Sequence, residues 1–258
     1  MRSVPLLATL ALAACAPPSD TGTVRVDPAS VSAPSVPLAS LDTMRVVVLG
    51  NSIAAGYGLP RGRADAFPTL VQARIDSLGW PFHVEAAAVS GSTTAGGLAR
   101  IDGAMAGTGE GAALGARRGE VAILVVELGG NDVMRFVPPE RTRANLTAIV
   151  ARAQAASPDL RVLVAGLDLP GGFRHPLLDA YRAAFTTAAD SAAGVTVLPS
   201  LLDGVVGVRS LNQGDALHPN VYGQRRIAAT LWPVLRPMLE GALRGKGVAE
   251  REINGDGR

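Results

Sequence analysis

Residues 45–52 read Arg-Val-Val-Val-Leu-Gly-Asn-Ser, an apolar run that ends in small and polar residues. Such a run predicts a strand that is buried on both faces, and Gly50 permits a sharp turn directly after it. Ser52 is therefore expected just beyond the carboxyl end of a buried strand. Four further apolar runs predict strands of the same kind, at residues 82–88, 121–127, 161–166 and 195–198.

The segments between these runs have helical composition and spacing. Predicted helices cover residues 64–78, 94–105, 139–156, 176–193 and 221–243. Buried strands that alternate with helices indicate an α/β fold whose parallel sheet is covered on both faces. Because ligands of open parallel sheets bind beyond the carboxyl ends of the strands, Ser52, Ser90-Gly91 and residues 129–132 are expected to meet at one edge.

Length and composition favour one well-buried domain. The chain has 258 residues and a net charge of +2, with 48% hydrophobic and 18% charged residues. We place the domain at residues 44–243, followed by a flexible tail at residues 244–258. Basic residues form no larger cluster than Arg117-Arg118 or Arg225-Arg226, and aromatic residues make up only 4%. Since nucleic-acid binding requires a clustered positive face, we predict no nucleic-acid partner.

Residues 1–15 have the pattern of an export signal. Arg2 precedes a short apolar stretch that closes on Cys15, the only cysteine of the chain. The stretch is too short to span a bilayer as a helix. Leu-Ala-Ala-Cys at residues 12–15 resembles the lipobox of bacterial lipoproteins, in which the cysteine is lipidated. An ordinary cleaved signal with a chance cysteine is the alternative.

Residues 16–43 are rich in Pro, Ser, Thr and Val and predict a tether. A flexible segment of this length reaches roughly 30 Å, about one domain diameter. We therefore expect an exported bacterial lipoprotein whose domain is held at the periplasmic face of a membrane through Cys15. Ala16, rather than aspartate, follows the cysteine, which suits the outer membrane if the host is Gram-negative.

The segment Asp215-Ala216-Leu217-His218-Pro219 carries chemistry that complements Ser52. A serine hydroxyl becomes a good nucleophile when an imidazole accepts its proton, and the imidazole needs a carboxylate to fix its tautomer. Ser52, His218 and Asp215 supply these groups, although a helix-capping serine and a surface histidine are the plain alternatives. Of the other histidines, we expect His83 to be structural and His175 to line a substrate pocket.

Gly91 and Asn131 are candidates for binding the negative charge that develops on an attacked carbonyl group. A glycine lets the backbone approach a substrate, and its N–H can donate to an oxyanion, as can the side chain of Asn131. Each segment alone is also typical of an ordinary turn. We expect the loops at residues 60–65, 134–141 and 169–175 to shape the pocket.

Four segments together resemble the motifs of the SGNH hydrolase superfamily, also called the GDSL esterase/lipase family. They are Gly-Asn-Ser at 50–52, Ser-Gly-Ser at 90–92, Gly-Gly-Asn-Asp at 129–132 and Asp-Ala-Leu-His-Pro-Asn at 215–220. The sequence most resembles the bacterial thioesterase I, lysophospholipase L1 and arylesterase branch, over about residues 45–239.

This resemblance implies a flavodoxin-like three-layer α/β/α sandwich with five parallel strands. It implies Ser52 as nucleophile, His218 as general base and Asp215 as the residue that orients the histidine. The backbone N–H groups of Ser52 and Gly91, with the Asn131 side chain, would form the oxyanion hole.

Asn51 departs from the family pattern, whose first block usually reads Gly-Asp-Ser. That aspartate is not the triad carboxylate. Asparagine is nearly the same size and still accepts a hydrogen bond through its carbonyl group, but it lacks the negative charge. We expect activity to be retained, and the effect on rate and pH profile stays open.

The leading hypothesis is a serine esterase that acts through an acyl-enzyme, without cofactor or metal, as a monomer. Its expected substrates are lysophospholipids, short acyl esters, aryl esters or thioesters. A carbohydrate O-acetyl esterase or an acyltransferase would use the same residues, and an anchored binding lipoprotein without turnover is a third possibility. The sequence lacks the Gly-x-Ser-x-Gly elbow and any phosphate-binding loop, and its three histidines are scattered.

Overall fold

Five parallel strands form the centre of the computed structural model, which describes residues 36–108, 119–167, 175–190 and 192–255. The strands are β1 (Met44–Gly50), β2 (Phe82–Ala88), β3 (Val121–Glu127), β4 (Arg161–Ala165) and β5 (Val195–Leu198). Their order is β2-β1-β3-β4-β5, and each neighbouring pair is parallel. This confirms the predicted α/β fold and its five-stranded parallel sheet.

Helices connect the strands and cover the sheet. They are α1 (Ser52–Ala55), α2 (Phe67–Ser77), α3 (Thr94–Ala106), α4 (Gly130–Met134), α5 (Pro139–Ala156), α6 (Pro176–Asp190), α7 (Val221–Gly245) and α8 (Glu250–Ile253). The predicted start of α2 at residue 64 is three residues early. Residues 62–65 form a short 3₁₀ helix instead, and the α-helix begins where Pro68 can occupy its first turn.

Alternate residues of β1 face two separate apolar cores. Val46 and Val48 pack with α2 and α7 on one face of the sheet, and Val47 and Leu49 pack with α3, α5 and α6 on the other. All seven residues of β1 are buried. The strand that carries Ser52 at its end is therefore held from both sides, which explains why its sequence shows no polar alternation.

The two ends of the domain differ from the expected tether and tail. Val36 N–H donates to the Gly247 carbonyl group at 3.0 Å, and Leu38 N–H donates to a Glu252 carboxylate oxygen at 2.9 Å. Val248 and Ile253 are buried in the core. These hydrogen bonds and the two buried side chains fold residues 36–43 and 244–255 onto the domain. The expected signal, Cys15 and residues 16–35 lie outside the described residues.

None of the helices in the described part of the chain combines the length and the apolar character needed to cross a bilayer.

Candidate active site

The predicted site residues lie at the carboxyl edge of the sheet, where the chain order reverses between β1 and β3. Ser52 follows β1, and Asn131 follows β3 on α4. Since the connections from these two central strands leave toward opposite faces, a crevice opens between them. The prediction that residues after β1, β2 and β3 share one edge agrees with this topology.

Ser52, His218 and Asp215 form a continuous chain of contacts. The Ser52 Oγ atom lies 3.0 Å from His218 Nε2, and His218 Nδ1 lies 2.6 Å from Asp215 Oδ2. Ser52 is 9% exposed, so the hydroxyl group reaches solvent only from the crevice. The geometry allows the imidazole to accept the serine proton while the carboxylate holds the opposite ring nitrogen.

Asp215 also organises the turn on which it lies. Its Oδ1 atom accepts the N–H groups of Leu217 at 3.0 Å and His218 at 2.9 Å. Ala216 lies in the left-handed region at φ 57°, where a side chain is disfavoured. The hydrogen bonds from His218, with that from Leu217, lower the pKa of the Asp215 carboxyl to about 2. Asp215 is therefore ionised at any pH at which the histidine is a base.

The Gln213 amide and the Tyr57 ring connect the histidine turn to its neighbours. Gln213 Nε2 donates to the carbonyl groups of Tyr57 at 2.8 Å and Pro219 at 3.1 Å. The Tyr57 ring centroid lies 4.7 Å from that of His218. These contacts link the turn to the residues that follow α1, so the histidine and the serine are held on connected segments.

Three N–H donors were predicted to bind an oxyanion beside Ser52. In the described part of the chain, the backbone N–H groups of Ser52 and Gly91 have no hydrogen-bond acceptor. Gly91 has φ 78°, a conformation that glycine adopts freely. Asn131 Nδ2 donates to the Ser92 carbonyl group at 3.0 Å, which fixes the amide beside the Gly91 turn. Ser52 and Asn131 thus line the crevice, whereas Gly91 lies on the turn that the Asn131 amide contacts.

Glu127, the last residue of β3, is a buried acid that the sequence analysis did not single out. Its Oε2 atom accepts the Asn51 N–H at 2.9 Å and the Ala54 N–H at 3.4 Å. Burial raises the pKa of its carboxyl from 4.5 to about 7, although these hydrogen bonds favour the ionised form. The only sequence signal was an acidic residue at the end of an otherwise apolar strand.

The crevice opens into an apolar cavity of about 240 Å³. Its walls include Val133, Met134, Leu167, Leu202, Val205 and Val206, with Ser52, Asn131 and His218 at the polar end. The wall at residues 202–206 was not predicted, because its apolar residues lie in a turn and have no helical or strand period. Of residues 134–141, which were expected to shape the cavity as a loop, Met134 lines it, at the end of α4.

Two further expectations about the pocket have different outcomes. Residues 60–65 do not line the cavity, contrary to the expectation, because residues 62–65 form the 3₁₀ helix that precedes α2. His175 is not among the cavity residues either; its Nδ1 accepts the Leu177 N–H at 3.3 Å at the start of α6. Residues 169–174 of the third expected loop, at residues 169–175, lie outside the described residues.

Among the residues with described positions, no three His, Cys, Asp or Glu side chains come together as metal ligands.

A doubly wound parallel sheet with a serine–histidine–aspartate chain at its carboxyl edge defines the class of serine hydrolases of the SGNH type. Comparison with known proteins agrees with this class. Residues 48–226 match the model of the GDSL-like Lipase/Acylhydrolase family, and the chain belongs to this family. It is a serine esterase, a hydrolase of carboxylic esters.

Several relatives are similar over most of the domain. Esterase TesA of Pseudomonas aeruginosa is 31% identical over 75% of this chain and 89% of that protein. Thioesterase 1/protease 1/lysophospholipase L1 of Escherichia coli K12 is 28% identical over 78% of this chain and 86% of that protein. A crystal structure of TesA superposes with a TM-score of 0.65 at 31% identity, covering 76% of this chain and 99% of that one.

Proposed function

We propose that Ser52 is the nucleophile of this esterase, His218 its general base and Asp215 the residue that orients the histidine. The contact chain from Ser52 Oγ through the imidazole to Asp215 Oδ2, at 3.0 and 2.6 Å, is the observation that carries the proposal. Its position at the polar end of an apolar cavity supports an acyl substrate.

The proposed reaction has two halves. Ser52 Oγ forms a bond to the acyl carbon while His218 Nε2 takes the hydroxyl proton, and the carbonyl oxygen becomes an oxyanion. The Ser52 and Gly91 N–H groups and the Asn131 amide donate to that oxyanion. The leaving alcohol or thiol departs with the proton from His218. Water then attacks the acyl-enzyme by the same route and releases the carboxylic acid.

The cavity lining favours esters and thioesters with an aliphatic acyl chain. Leu167, Leu202, Val205 and Val206 offer no hydrogen-bonding side chain, so each methylene placed among them gains about 0.8 kcal/mol. Relatives named as a thioesterase/lysophospholipase and as an arylesterase support the same substrate range. We propose acyl esters longer than acetyl, including lysophospholipids and thioesters, ahead of acetylated carbohydrate.

We also propose that the esterase is a lipoprotein held at a membrane surface through Cys15, and that its domain is a monomer. The sequence of residues 1–15 supports the anchor, and lipid substrates would then lie within reach. Membrane fractionation of cells that express the full chain tests it. Wild-type protein should pellet with membranes, and Cys15→Ser should be released; equal pelleting of both would contradict the anchor.

Labelling with a fluorophosphonate tests the nucleophile. Wild-type protein and Ser77→Ala, a matched change on the exposed end of α2, should become labelled, and Ser52→Ala should not. Persistent labelling of Ser52→Ala would refute the assignment. A panel of p-nitrophenyl esters from acetyl to dodecanoyl, lysophosphatidylcholine, an acyl thioester and an acetylated sugar then tests the substrate class. A highest kcat/KM for the acetylated sugar would overturn the acyl-chain proposal.

A further inference from the structure

The buried Glu127 carboxylate lies directly beneath the turn that carries Ser52. Glu127 is 5% exposed, and it belongs to the strand next to β1. A methyl group on Gly50 would come within 2.8 Å of its Oε2 atom, so glycine is needed here for the carboxylate to approach the turn. The proposed catalytic steps do not use this acid.

In the turn at residues 51–54, three of the four backbone N–H groups have hydrogen-bond acceptors among the described residues. Glu127 Oε2 accepts the N–H groups of Asn51 and Ala54. The side chain of Asn51 accepts the Ile53 N–H at 3.0 Å. Of the four consecutive N–H groups at residues 51–54, only that of Ser52 lacks an acceptor among the described residues, and it is a proposed oxyanion donor.

Asn51 connects the acid to the nucleophile. Its Oδ1 atom lies 3.4 Å from Ser52 Oγ, and its Nδ2 atom donates to the Glu127 carbonyl group at 3.4 Å. The Asn51 side chain also favours the ionised form of the Glu127 carboxyl and so lowers its pKa. An aspartate at this position could still accept the Ile53 N–H, but it would place a second negative charge beside Glu127.

Arg100 is the charged group that faces Glu127 from α3, and its positive charge favours the ionised carboxylate. Its guanidinium donates to the Gly50 carbonyl group at 2.6 Å and to Ser92 Oγ at 2.5 Å. Glu127 also borders a small cavity whose other described lining residues are uncharged, among them Asn51, Leu128, Leu167 and Leu201. Among the described residues, the carboxylate therefore faces the Arg100 cation, the turn and largely apolar groups.

We propose that Glu127 is a positioning residue that acts in its ionised form, with Asn51 as its partner, to hold the Ser52 turn in the geometry for acylation. The inference rests on the proposed role of Ser52 as nucleophile. A carboxylate accepts N–H groups roughly twice as strongly as a neutral oxygen. Protonation of Glu127 thus loosens the turn and slows acylation without removing any group that reacts.

The rate of fluorophosphonate acylation, measured against pH, tests this inference. In the wild type, the acid side of the profile should contain a step that belongs to the Glu127 carboxyl, because its protonation slows acylation. In Glu127→Gln this step should be absent, and the rate at pH 8 should drop about tenfold, because the amide oxygen accepts less strongly. Identical pH profiles for the two proteins would overturn the proposal.

Asn51→Asp provides a second test that keeps the cap of α1. The acid limb of its profile should move to higher pH, because the neighbouring carboxylates disfavour each other's ionisation. The double variant Asn51→Asp/Glu127→Gln should show no such movement relative to Glu127→Gln alone. An unmoved limb in the single variant, or an equal shift in the double variant, would contradict coupling to Glu127.

Glu85→Gln is the matched control, since Glu85 is also a buried acid of the sheet and pairs with Arg45 on β1. It should lose stability but keep the shape of the wild-type pH profile. The labelling of Ser52→Ala distinguishes failure of the proposed nucleophile from failure of the proposed Glu127 role. If Ser52→Ala is labelled, Ser52 is not the nucleophile. If labelling requires Ser52 but its pH profile is the same in Glu127→Gln, only the positioning role of Glu127 is wrong.

Discussion

The two halves of the active site are held in place by different means. The Ser52 turn is buried and depends on distant residues: Glu127 of β3 beneath it, and Gln224 of α7, whose Nε2 donates to the Ile53 carbonyl group at 3.1 Å. The histidine turn lies at the surface and depends largely on itself, because Asp215, with a side chain 42% exposed, bonds Leu217 and His218. The first half is positioned by the sheet and the second by local hydrogen bonds.

This difference predicts how substitutions in each half affect catalysis and stability. A change in the histidine turn should alter catalysis strongly and global stability weakly, because few core contacts are lost. A change beneath the Ser52 turn should alter both, and the two effects need not have the same sign.

Asp215→Asn should have the largest effect. The asparagine oxygen can still accept N–H groups of the turn, but its amide cannot accept a proton from His218 Nδ1, and the histidine takes the wrong tautomer. We expect kcat to fall on the order of 1,000- to 10,000-fold. The apparent melting temperature should change little. Steady-state hydrolysis of a p-nitrophenyl ester measures kcat, and Asp159→Asn on the surface is the control. A large fall in the melting temperature of Asp215→Asn would show that the histidine turn depends on more than its own hydrogen bonds.

Asn131→Ala should come next, with a rate loss of about 100- to 1,000-fold. Its amide donates to the Ser92 carbonyl group and is the proposed oxyanion donor, so the variant removes one of three donors without opening the core. Acylation rates should fall while binding of a substrate analogue is kept. Asn254→Ala, on α8's C-terminal side, serves as the control. An acylation rate of Asn131→Ala equal to that of the wild type would show that Asn131 does not donate to the oxyanion.

The pH dependence of stability should sharpen the contrast between the two turns. Because the pKa of Glu127 is raised from 4.5 to about 7, the folded protein binds its proton more tightly than the unfolded chain does. The corresponding stability is present below pH 4.5 and is lost as the pH rises through 7. The loss of unfolding free energy amounts to about 3 kcal/mol, because each pKa unit by which the folded and unfolded states differ is worth about 1.4 kcal/mol.

Urea unfolding at pH 5 and pH 8 measures this loss. The wild type should weaken between these values relative to Glu127→Gln, which has no proton to release at this position. Parallel stability curves for the two proteins would contradict the raised pKa. An acid that costs stability when ionised, and whose removal slows acylation, would be retained for function and not for folding.

The elements that sequence could predict are those whose ends carry local signals. The apolar runs of β2 and β3 and the helix that starts at Pro139 agree with the structure residue for residue. The place of Ser52 follows from the rule that site residues gather at the carboxyl edge of parallel strands, whereas its contact with His218 was expected from their complementary chemistry and from the family resemblance.

The parts that sequence could not predict depend on partners far along the chain. Glu127 gains its environment from residue 51, and Gln213 from Tyr57, with no local pattern to mark either pair. The cavity wall at residues 202–206 has no period. Residues 244–255 fold onto the domain through the buried Val248 and Ile253 and through contacts of Gly247 and Glu252 with residues 36–38. Tertiary contact, not propensity, decides all of these.

Ala216→Gly should have the smallest effect and tests whether the histidine turn stores strain. The left-handed conformation of Ala216 costs about 1 kcal/mol, which glycine avoids, but glycine loses about 0.5–1 kcal/mol more in chain entropy on folding. These terms nearly cancel, so the free energy of unfolding should stay close to that of the wild type. Ala73→Gly on the exposed face of α2 has only the entropic cost and should lose about 1 kcal/mol. Equal losses in both variants, measured by urea unfolding, would mean that the turn adopts its shape without strain and that its hydrogen bonds alone hold His218 against Ser52.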